Sequence, residues 1–354
     1  MQIETIRLRL REHGALPLHE LRVLRDWMQR RPHDQGRRRP ADFLPKTLRE
    51  ALPGIDADLA GLVRLVSSHA ANGDAARLLL GLRDGQMVES VLLPRGGVCV
   101  SSQVGCAVAC QFCMTGRGGL VRQLTSGEIV AQVVLARSIR AVKKVVFMGM
   151  GEPAHNLDNV LEAIDLLGTE GDIGHKNLVF STVGDARVFE RLPLGKVKPA
   201  LALSLHTTKP DLRATLLPKA PRIDPVDLVA LGEDYARRTH YPVQYQWTLM
   251  EDVNDGPDEL DGIVALLKGK YAVLNMIPYN TVPGLPFARP SWERSQEIAR
   301  VLHQRGVLTK LRDSAGQDVD AGCGQLRARA TAPAGKVIPL RQPGLATACG
   351  NTER

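Results

Sequence analysis

GCAVACQFCMTGRGG, residues 105–119, is the stretch that decides how the rest of this chain is interpreted. It places Cys106, Cys110 and Cys113 in a C-x3-C-x2-C pattern among several glycines. Thiolates so close in sequence converge only on a small centre, for which iron–sulfur clusters and zinc are the usual candidates. A structural zinc site needs a fourth ligand, and no Cys or His follows at a finger-like distance. Three cysteines on a 4Fe–4S cluster would instead leave one iron open to a substrate or cofactor.

Length and composition limit the remaining possibilities. The 354 residues allow one sizeable catalytic domain and a smaller accessory region. No apolar run reaches the roughly 20 residues that a membrane-spanning helix needs, and residues 1–14 lack the apolar core of a secretory signal. We therefore expect a cytoplasmic protein without a membrane partner. In a reducing compartment six cysteines indicate metal binding or catalysis and not a disulfide framework.

The chain carries a formal net charge of +8, much of it in one short segment. That segment, RRPHDQGRRRP, contains Arg30, Arg31, Arg37, Arg38 and Arg39. Basic runs of this kind are often only solvated surface. As a functional feature the run favours a nucleic-acid partner, although charge alone does not separate RNA from DNA or from an acidic membrane.

Residues 1–76 are predicted to form a helical N-terminal region. Residues 15–31 have helical apolar spacing, and residues 40–54 start and stop at prolines and a glycine. In residues 77–94, apolar and polar side chains alternate on either side of Asp84-Gly85, and this pattern predicts a hairpin. The segment 331–354 is rich in proline and glycine and is predicted to be a flexible tail.

The main region, residues 77–330, alternates apolar strands with amphipathic helices. This pattern predicts an α/β fold with a mainly parallel sheet, arranged as a full barrel, a partial barrel or an open sheet. Two helices have clear starting signals, Thr125 with Glu128 in a capping box and Asp224 before Pro225. Polar residues follow the strands, and in βα folds such loops build the ligand site. Strands are predicted in VCVSS, KVVFMGM, NLVFSTV, ALALSLH, VQYQWTL, AVLNMIPY and VLTKLRD.

With these motifs in place, the sequence resembles the radical SAM (S-adenosylmethionine) superfamily, whose signature is the C-x3-C-x2-C loop after the first barrel strand. It is more specifically similar to the RlmN/Cfr family, whose members methylate an adenine of ribosomal RNA and in some cases of transfer RNA. The similarity covers residues 77–330, and the N-terminal region matches only loosely. It implies a partial (βα)6 radical SAM barrel with a small helical N-terminal domain. The motifs occur in the order VESVLLP, CVSSQVGC, MGMGEP, STVG, SLH, DVND, IPYN and DVDAGCGQL.

The resemblance implies two cofactors and the residues that hold them. Cys106, Cys110 and Cys113 would bind a 4Fe–4S cluster that reduces SAM to a 5′-deoxyadenosyl radical. Each proposed SAM residue also has a plain structural interpretation, as a turn residue or, for His206, as a core histidine. The residues carried over as SAM contacts are Gly151, Glu152, Ser181, Ser204, Leu205, His206 and Asn280.

The resemblance also assigns three catalytic residues. A ring carbon of adenine is not a nucleophile, so a methyl group reaches it only by a radical route. Cys323 would first be methylated and would then add its activated methyl carbon to the base. Cys99 would release the product by forming a disulfide with Cys323, which predicts an accessible Cys99 with a lowered pKa. Glu89 would accept a proton from the adduct.

The expected function is therefore that of a radical SAM methyltransferase acting on carbon 2 or carbon 8 of an adenine. The expected partners are 23S rRNA, possible tRNA substrates and a flavodoxin or ferredoxin reductant, with a monomer favoured over an oligomer. Two alternatives remain, a radical SAM enzyme acting on a substrate other than RNA and a non-catalytic RNA-binding protein stabilised by a cluster or zinc. The sequence leaves open the methylated carbon and any role for Cys349.

Overall fold

A computed structural model of the chain describes residues 1–34, 39–71, 73–282, 284–312 and 324–330. It begins with helices α1 (Ile3–Glu12), α2 (Pro17–Gln29), α3 (Pro40–Phe43) and α4 (Lys46–Ala60). The helical prediction for this region is confirmed, but its predicted end at Pro53-Gly54 is wrong. Helix α4 continues through Pro53 because Leu52, Ile55 and Leu59 are buried along one face, and this burial offsets the missing N–H of proline.

Three antiparallel strands follow, β1 (Val63–Ala70), β2 (Ala76–Leu82) and β3 (Met87–Leu93). The predicted hairpin of β2 and β3 is confirmed, and Gly85 adopts a φ of 82° in its turn. The expectation that residues 1–76 are helical is wrong for 63–70, which form β1. This strand lies at the edge of the sheet and is mostly exposed, so its side chains lack the apolar alternation that reveals a strand.

The seven predicted main strands are confirmed as one parallel array. They are β4 (Gly97–Cys99), β7 (Lys144–Phe147), β8 (Leu178–Thr182), β9 (Ala200–Ser204), β10 (Val243–Leu249), β11 (Ala272–Pro278) and β12 (Thr309–Leu311). With β1–β3 they form a single sheet in the order β1-β2-β3-β4-β7-β8-β9-β10-β11-β12. Within the described residues β12 pairs only with β11, so the sheet curves into a partial barrel and does not close.

A separate two-stranded sheet, β5 (Gln103–Gly105) with β6 (Leu120–Gln123), flanks the cysteine loop. Both predicted helix starts are confirmed. The side chain of Thr125 accepts the Glu128 N–H, and that of Asp224 accepts the Val226 N–H. No helix in the described part of the chain is long and apolar enough to span a membrane. The remaining helices are α5 (Met114–Arg117), α6 (Ser126–Ile139), α7 (Leu157–Thr169), α8 (Ala186–Arg191), α9 (Pro210–Leu216), α10 (Pro225–Thr239), α11 (Pro257–Leu267), α12 (Trp292–Gln304) and α13 (Gln325–Ala330).

The sheet has two different faces. Its outer face packs on the helices, and the N-terminal helices join the same apolar core through contacts of α2 with α6. Its inner face carries a row of small and β-branched side chains that fill the barrel: Val91, Cys99, Val146, Val179, Ala200 and Ala202. Because the strands from β4 onward are parallel, their carboxyl ends meet at one rim, and the polar residues that follow them lie together there.

Candidate active site

The cysteine loop is held by close backbone packing. Gly105 has a φ of 82°, and a Cβ at this position would lie 2.0 Å from the carbonyl oxygen of Gly119. The backbone N–H of Cys106 donates to that same oxygen at 3.0 Å. At the other end of the loop, a Cβ on Gly116 would lie 2.8 Å from the Cα of Ala109. These two glycines let the loop fold back on itself so that its cysteines face one cavity.

The three thiols of the loop lie close enough to influence one another. Cys106 is buried, whereas Cys110 and Cys113 are half-buried. Burial raises the pKa of Cys106 to about 12, and nearby Glu152 and Cys113 add to that increase. Burial also raises the pKa of Cys110, which is increased further by Cys113 and Cys106. Because thiolates are the metal-binding form, such thiols ionise only when a cationic centre compensates them.

The arrangement of donors suits a multi-iron centre. Cys106, Cys110 and Cys113 line one cavity on a glycine-rich loop. Three thiolates of this kind are the donor set of a 4Fe–4S cluster that leaves one iron open.

The close approach at Gly105 leads to a testable prediction. We expect Gly105→Ala to lower stability by about 2–3 kcal/mol and to disturb the loop enough to reduce cluster incorporation. Gly118→Ala is the matched control, because a Cβ at Gly118 would meet no atom within 4 Å. Iron and sulfide per chain would be measured after anaerobic reconstitution, together with thermal unfolding. Equal iron content in the two variants would contradict the proposed role of the loop packing.

A cavity of about 350 Å³ opens at the carboxyl ends of the strands, beside the cysteine loop. It is lined by the three loop cysteines and by six of the seven residues carried over as SAM contacts, namely Gly151, Glu152, Ser181, Ser204, His206 and Asn280. Leu205 differs, because its side chain is fully buried in the main core and is absent from the cavity lining. The cavity also has lining residues that the sequence did not indicate, such as Gln246 and Thr248. Both lie on β10, where strand alternation alone could have indicated them.

Glu152 links two of the strand-end loops beneath this cavity. Its carboxylate accepts the backbone N–H groups of Ala154 and Val183, each at 3.0 Å, and the hydroxyl of Thr182. Burial raises the pKa of Glu152 to about 7 despite these donors. A carboxylate offers about four acceptor positions, so one remains for a cationic group in the cavity. Such a group would favour the ionised form of Glu152.

His206 presents a neutral ring to the same cavity. Its backbone has a φ of 63°, in the left-handed region, and its Nδ1 accepts the backbone N–H of Thr248 at 3.0 Å. Burial lowers its pKa to about 3, so the ring is uncharged and carries its hydrogen on Nε2. The ring also packs edge-on against Phe112 of the cysteine loop, with centroids 4.9 Å apart. His206 therefore joins the SLH segment to the cysteine loop.

Arg213, which the sequence did not indicate, is a buried cation between these groups. It is 4% exposed, and its guanidinium donates to the carbonyl oxygens of Val183 and Ser204. Burial lowers its pKa, while nearby Cys110 and Glu152 favour its charged form. A fixed positive charge beside a thiolate offsets the negative charge that a cysteine-bound centre collects. In the sequence, Arg213 is distinguished only as a basic residue in the short helix that follows the SLH motif.

Comparison with known proteins identifies the family. The model of the radical SAM superfamily matches residues 100–261. A solved radical SAM methyltransferase from Sphaerobacter thermophilus is 34% identical, with a TM-score of 0.77 over 92% of this chain and 97% of that one. The chain belongs to the radical SAM superfamily. It is an enzyme, a radical SAM methyltransferase, and membership in the superfamily implies a 4Fe–4S cluster and SAM.

Curated relatives of this radical SAM enzyme extend over almost its whole length. A probable RNA methyltransferase of Leptothrix cholodnii is 70% identical over 96% of this chain and 98% of its own. Another protein named probable RNA methyltransferase, from Pseudomonas aeruginosa, is 65% identical over 97% of this chain and 100% of its own. These similarities agree with an RlmN-like family.

A second group of polar residues lies beside the cysteine loop of the radical SAM enzyme. Glu89 on β3 is 1% exposed, and its Oε2 lies 3.3 Å from Nη1 of Arg77 on β2. Its Oε1 accepts the backbone N–H of Arg327 at 2.9 Å, and the backbones of Gly324 and Leu326 also donate to the carboxylate. Burial raises the pKa of Glu89, although all these partners act in the opposite direction. Glu89 therefore fixes helix α13 to the barrel.

Cys99 lies on the inner face of β4 and contradicts one expectation. It is 6% exposed, and burial raises its pKa to about 12, whereas the sequence predicted an accessible thiol with a lowered pKa. The reason is its packing among Val91, Val146 and Val179, which excludes water from the sulfur. In this structure Cys99 is a free thiol.

Cys323 and Cys349 lie outside the described residues, whereas Gly324, the residue that follows Cys323, lies within them. Gly324 has a φ of 91°, and a Cβ there would lie 2.7 Å from Oγ1 and 2.9 Å from N of Thr115. Thr115 belongs to α5, in the last part of the cysteine loop, and it lines the cavity. The chain at Gly324 thus passes directly over the cysteine loop while Glu89 holds the helix that follows.

Proposed function

We propose that this radical SAM enzyme methylates ring carbon 2 or 8 of an adenine in RNA, through a methylated Cys323. The observation that carries this proposal is the attachment of residues 324–330 at the rim of the cavity. Gly324 contacts Thr115, and Glu89 accepts N–H groups from Gly324, Leu326 and Arg327. These contacts bring Gly324, the residue that follows Cys323 in the sequence, against the cysteine loop.

Two cofactors would occupy the cavity. Cys106, Cys110 and Cys113 are proposed to bind a 4Fe–4S cluster that, when bound, supplies the electron for cleavage of SAM to a 5′-deoxyadenosyl radical. Glu152 would accept the SAM ammonium group in its remaining position, and the Nε2–H of His206 would donate to an acceptor of SAM. Leu205 is proposed to contribute only through its backbone, because its side chain is buried elsewhere. The other proposed SAM contacts are Gly151, Ser181, Ser204 and Asn280.

The catalytic residues would act in sequence. Cys323 takes a methyl group from one SAM, loses a hydrogen atom from that methyl to the radical, and joins the remaining carbon to the base. Glu89 would then remove the proton from the substituted ring carbon, and the electron that the adduct gives up would return to the 4Fe–4S cluster that Cys106, Cys110 and Cys113 would hold. A buried carboxylate with a raised pKa suits this general-base role near neutral pH. Its ion pair with Arg77 favours the ionised form that this role requires.

Cys99 would complete the reaction by releasing the product. Its sulfur attacks the sulfur of Cys323, the carbon–sulfur bond breaks, and the thiol proton of Cys99 ends on the new methyl group. The two sulfurs are oxidised to a disulfide as the carbon is reduced, so an external dithiol must reduce the disulfide before the next turnover. The inward position of Cys99, on the barrel side that also holds Glu89, supports this assignment.

Several observations favour RNA as the substrate. The relatives named probable RNA methyltransferases match almost the whole length of this chain. The net charge of +8 favours a polyanion, and Arg30, Arg31 and Arg39 are exposed near the end of α2. A ring carbon on a base edge is reached by unstacking the adenine from a loop or junction, as folded RNA permits. We propose a cytoplasmic enzyme acting on 23S rRNA and tRNA with a flavodoxin-type or ferredoxin-type reductant.

The role of Cys99 provides the test of this function. Cys99→Ala holoenzyme, incubated anaerobically with SAM, a reductant and cellular RNA, is expected to accumulate a covalent protein–RNA adduct and to release almost no methyladenosine. The adduct forms because base attachment proceeds while release is blocked. Denaturing gels and mass spectrometry of nuclease-treated protein would detect it on Cys323. Normal turnover by Cys99→Ala, or an adduct on another residue, would overturn the proposal.

A further inference from the structure

Helix α9 and the residues just after it are attached to the cysteine loop by backbone hydrogen bonds. The N–H of Gln111 donates to the carbonyl oxygen of Leu216 at 2.9 Å, and the N–H of Lys219 donates to that of Val108 at 3.3 Å. In the sequence, these two bonds lie on either side of Cys110. Apolar side chains of the two segments also pack together. The helix is therefore fixed beside the residues proposed to bind the cluster.

Arg213 lies on the buried side of this helix. It is 4% exposed, and its Nη2 donates to the carbonyl oxygen of Val183 and, at 3.2 Å, to that of Ser204. Val183 and Ser204 line the cavity beside the cysteine loop, whereas Arg213 is not among the described residues that line it. The guanidinium is thus placed behind the cavity wall, where it acts on the contents of the cavity through its charge and not through contact.

The hydrogen bonds of Arg213 do not by themselves explain its charge. A neutral amide could donate to the same two carbonyl oxygens, and burial of a guanidinium costs free energy. Its Nε is buried without an acceptor among the described residues. The groups that favour the charged form, and so oppose the lowering of its pKa by burial, are Cys110 and Glu152. The positive charge therefore matches the negative groups around the cysteine loop.

We propose that Arg213 raises the reduction potential of the 4Fe–4S cluster, because its fixed buried charge stabilises the reduced form. This inference rests on the proposed binding of the cluster by Cys106, Cys110 and Cys113. A cluster on three thiolates is anionic and becomes more so when it accepts an electron, so a nearby cation favours reduction. Salt screens a buried charge only weakly. Arg213 is a positioning residue, since it acts through the cluster, and it makes the cluster easier to reduce for a one-electron donor of the flavodoxin or ferredoxin class.

The inference is tested by the midpoint potential of the cluster. Arg213→Gln removes the charge and keeps a donor for the two carbonyl oxygens. One charge roughly 12 Å away, at an effective dielectric constant of about 20, changes an equilibrium about tenfold. We therefore expect reduction to become about tenfold less favourable, which is a potential about 59 mV more negative for a one-electron couple. Redox titration of the reconstituted holoenzyme at pH 7, followed by electron paramagnetic resonance, measures this shift.

Two variants separate the effect of charge from an effect of packing. Arg213→Lys keeps a positive charge and should stay near the wild-type potential, because the anionic surroundings favour its ammonium form. Lys219→Gln serves as the control, since Lys219 is an exposed cation attached to the same loop. Water and salt screen its charge, so its loss should change the reduction equilibrium less than about twofold. An unchanged potential in Arg213→Gln, or an equal fall in either of the other two variants, would overturn the inference.

A further pair of variants leaves Arg213 in place. Ala214 lines an outer cavity of about 230 Å³ together with Arg213, whereas the exposed Thr215 is not among its lining residues. Ala214→Glu would place a carboxylate beside the guanidinium, so reduction should become about threefold less favourable. Thr215→Glu adds the same charge to the same helix and should have a smaller effect. Equal potentials in these two variants would overturn the inference even if Arg213→Gln did not fold.

The measurements distinguish failure of this inference from failure of the proposed function. Iron and sulfide per chain are determined first, and no RNA is present in any sample. A wild-type protein that binds no cluster would reject the proposed ligand set. A normal iron content with the same potential in Arg213→Gln and in the wild type would reject only the role of Arg213.

Discussion

Replacement of Cys323 with alanine is expected to abolish RNA methylation while leaving the cluster and SAM cleavage in place. Without its sulfur there is no carrier for the methyl group, and an adenine ring carbon does not attack SAM directly. The rate of methyladenosine formation should fall by more than about a thousandfold, as for other residues that carry a covalent intermediate. Iron content and 5′-deoxyadenosine formation should persist, because the described residues that line the cavity belong to other segments.

The matched control for this experiment is Cys349→Ala. Cys349 is another cysteine of the C-terminal region, and no role is proposed for it. Chromatography of labelled RNA digests would give the methylation rate, and the same samples would give 5′-deoxyadenosine. Methylation by the Cys323→Ala protein at more than one tenth of the wild-type rate would contradict the methylcysteine route. A comparable loss of methylation in the Cys349→Ala protein would show that the defect is not specific to Cys323.

Replacement of Cys110 with alanine is expected to remove the cluster and all reactions that depend on it. Cys110 shares its cavity with Cys106 and Cys113, and its thiol is influenced by both. With two cysteines the loop lacks one of its three ligands, so iron per chain should fall severalfold. SAM cleavage should fall by more than about a thousandfold, because the radical cannot form.

Cys99→Ala is the control for the Cys110 variant, because it removes a buried thiol outside the cysteine loop. It should retain full iron content and the absorbance of the cluster. Iron and sulfide assays, electron paramagnetic resonance of the reduced protein and 5′-deoxyadenosine formation would distinguish the two variants. SAM cleavage by the Cys110→Ala protein, or equal iron loss in both variants, would disagree with the proposed ligand set.

Much of the barrel could be predicted from the sequence because burial on both faces makes its strands continuously apolar. The segments around Val145, Phe180 and Leu201 are examples, and each became a strand of the parallel array. Strand β1 could not be predicted in this way, since an edge strand with exposed side chains has neither alternation nor an apolar run. Helix α4 continues through Pro53 because its apolar side chains are buried against the rest of the fold, and this burial overrides the local helix-ending signal of Pro53-Gly54.

The residues of the site also divide into those that the sequence predicted and those that only the folded chain reveals. The cysteine loop and the strand-end residues were identified because their spacing is local and strand ends always meet at one rim. The state of Cys99 was predicted incorrectly, since its pKa depends on side chains from several strands that close around it. The ion pair of Arg77 with Glu89 and the buried position of Arg213 were also hidden, because each is defined by partners far away in sequence. Desolvation and long-range ion pairing are properties of the folded chain.

Two groups of residues lie side by side at one rim of the barrel. The cysteine loop and the strand ends form the cavity, while Glu89, Arg77 and Cys99 lie on the neighbouring antiparallel side. Gly324 and helix α13 connect them by contacting Thr115 and Glu89 at the same time. Because residues 324–330 contact both Thr115 and Glu89, the proposed methyl carrier beside them would lie between the cavity and a substrate near Glu89.

The most direct test of the central claim is mass spectrometry of nucleosides from purified rRNA and tRNA of cells with and without this gene. We predict that 2-methyladenosine or 8-methyladenosine disappears from at least one RNA in the deletion strain. Wild-type protein should restore it, whereas the Cys323→Ala protein should not. Unchanged amounts of both methyladenosines in the deletion strain, or restoration by the Cys323→Ala protein, would contradict the account.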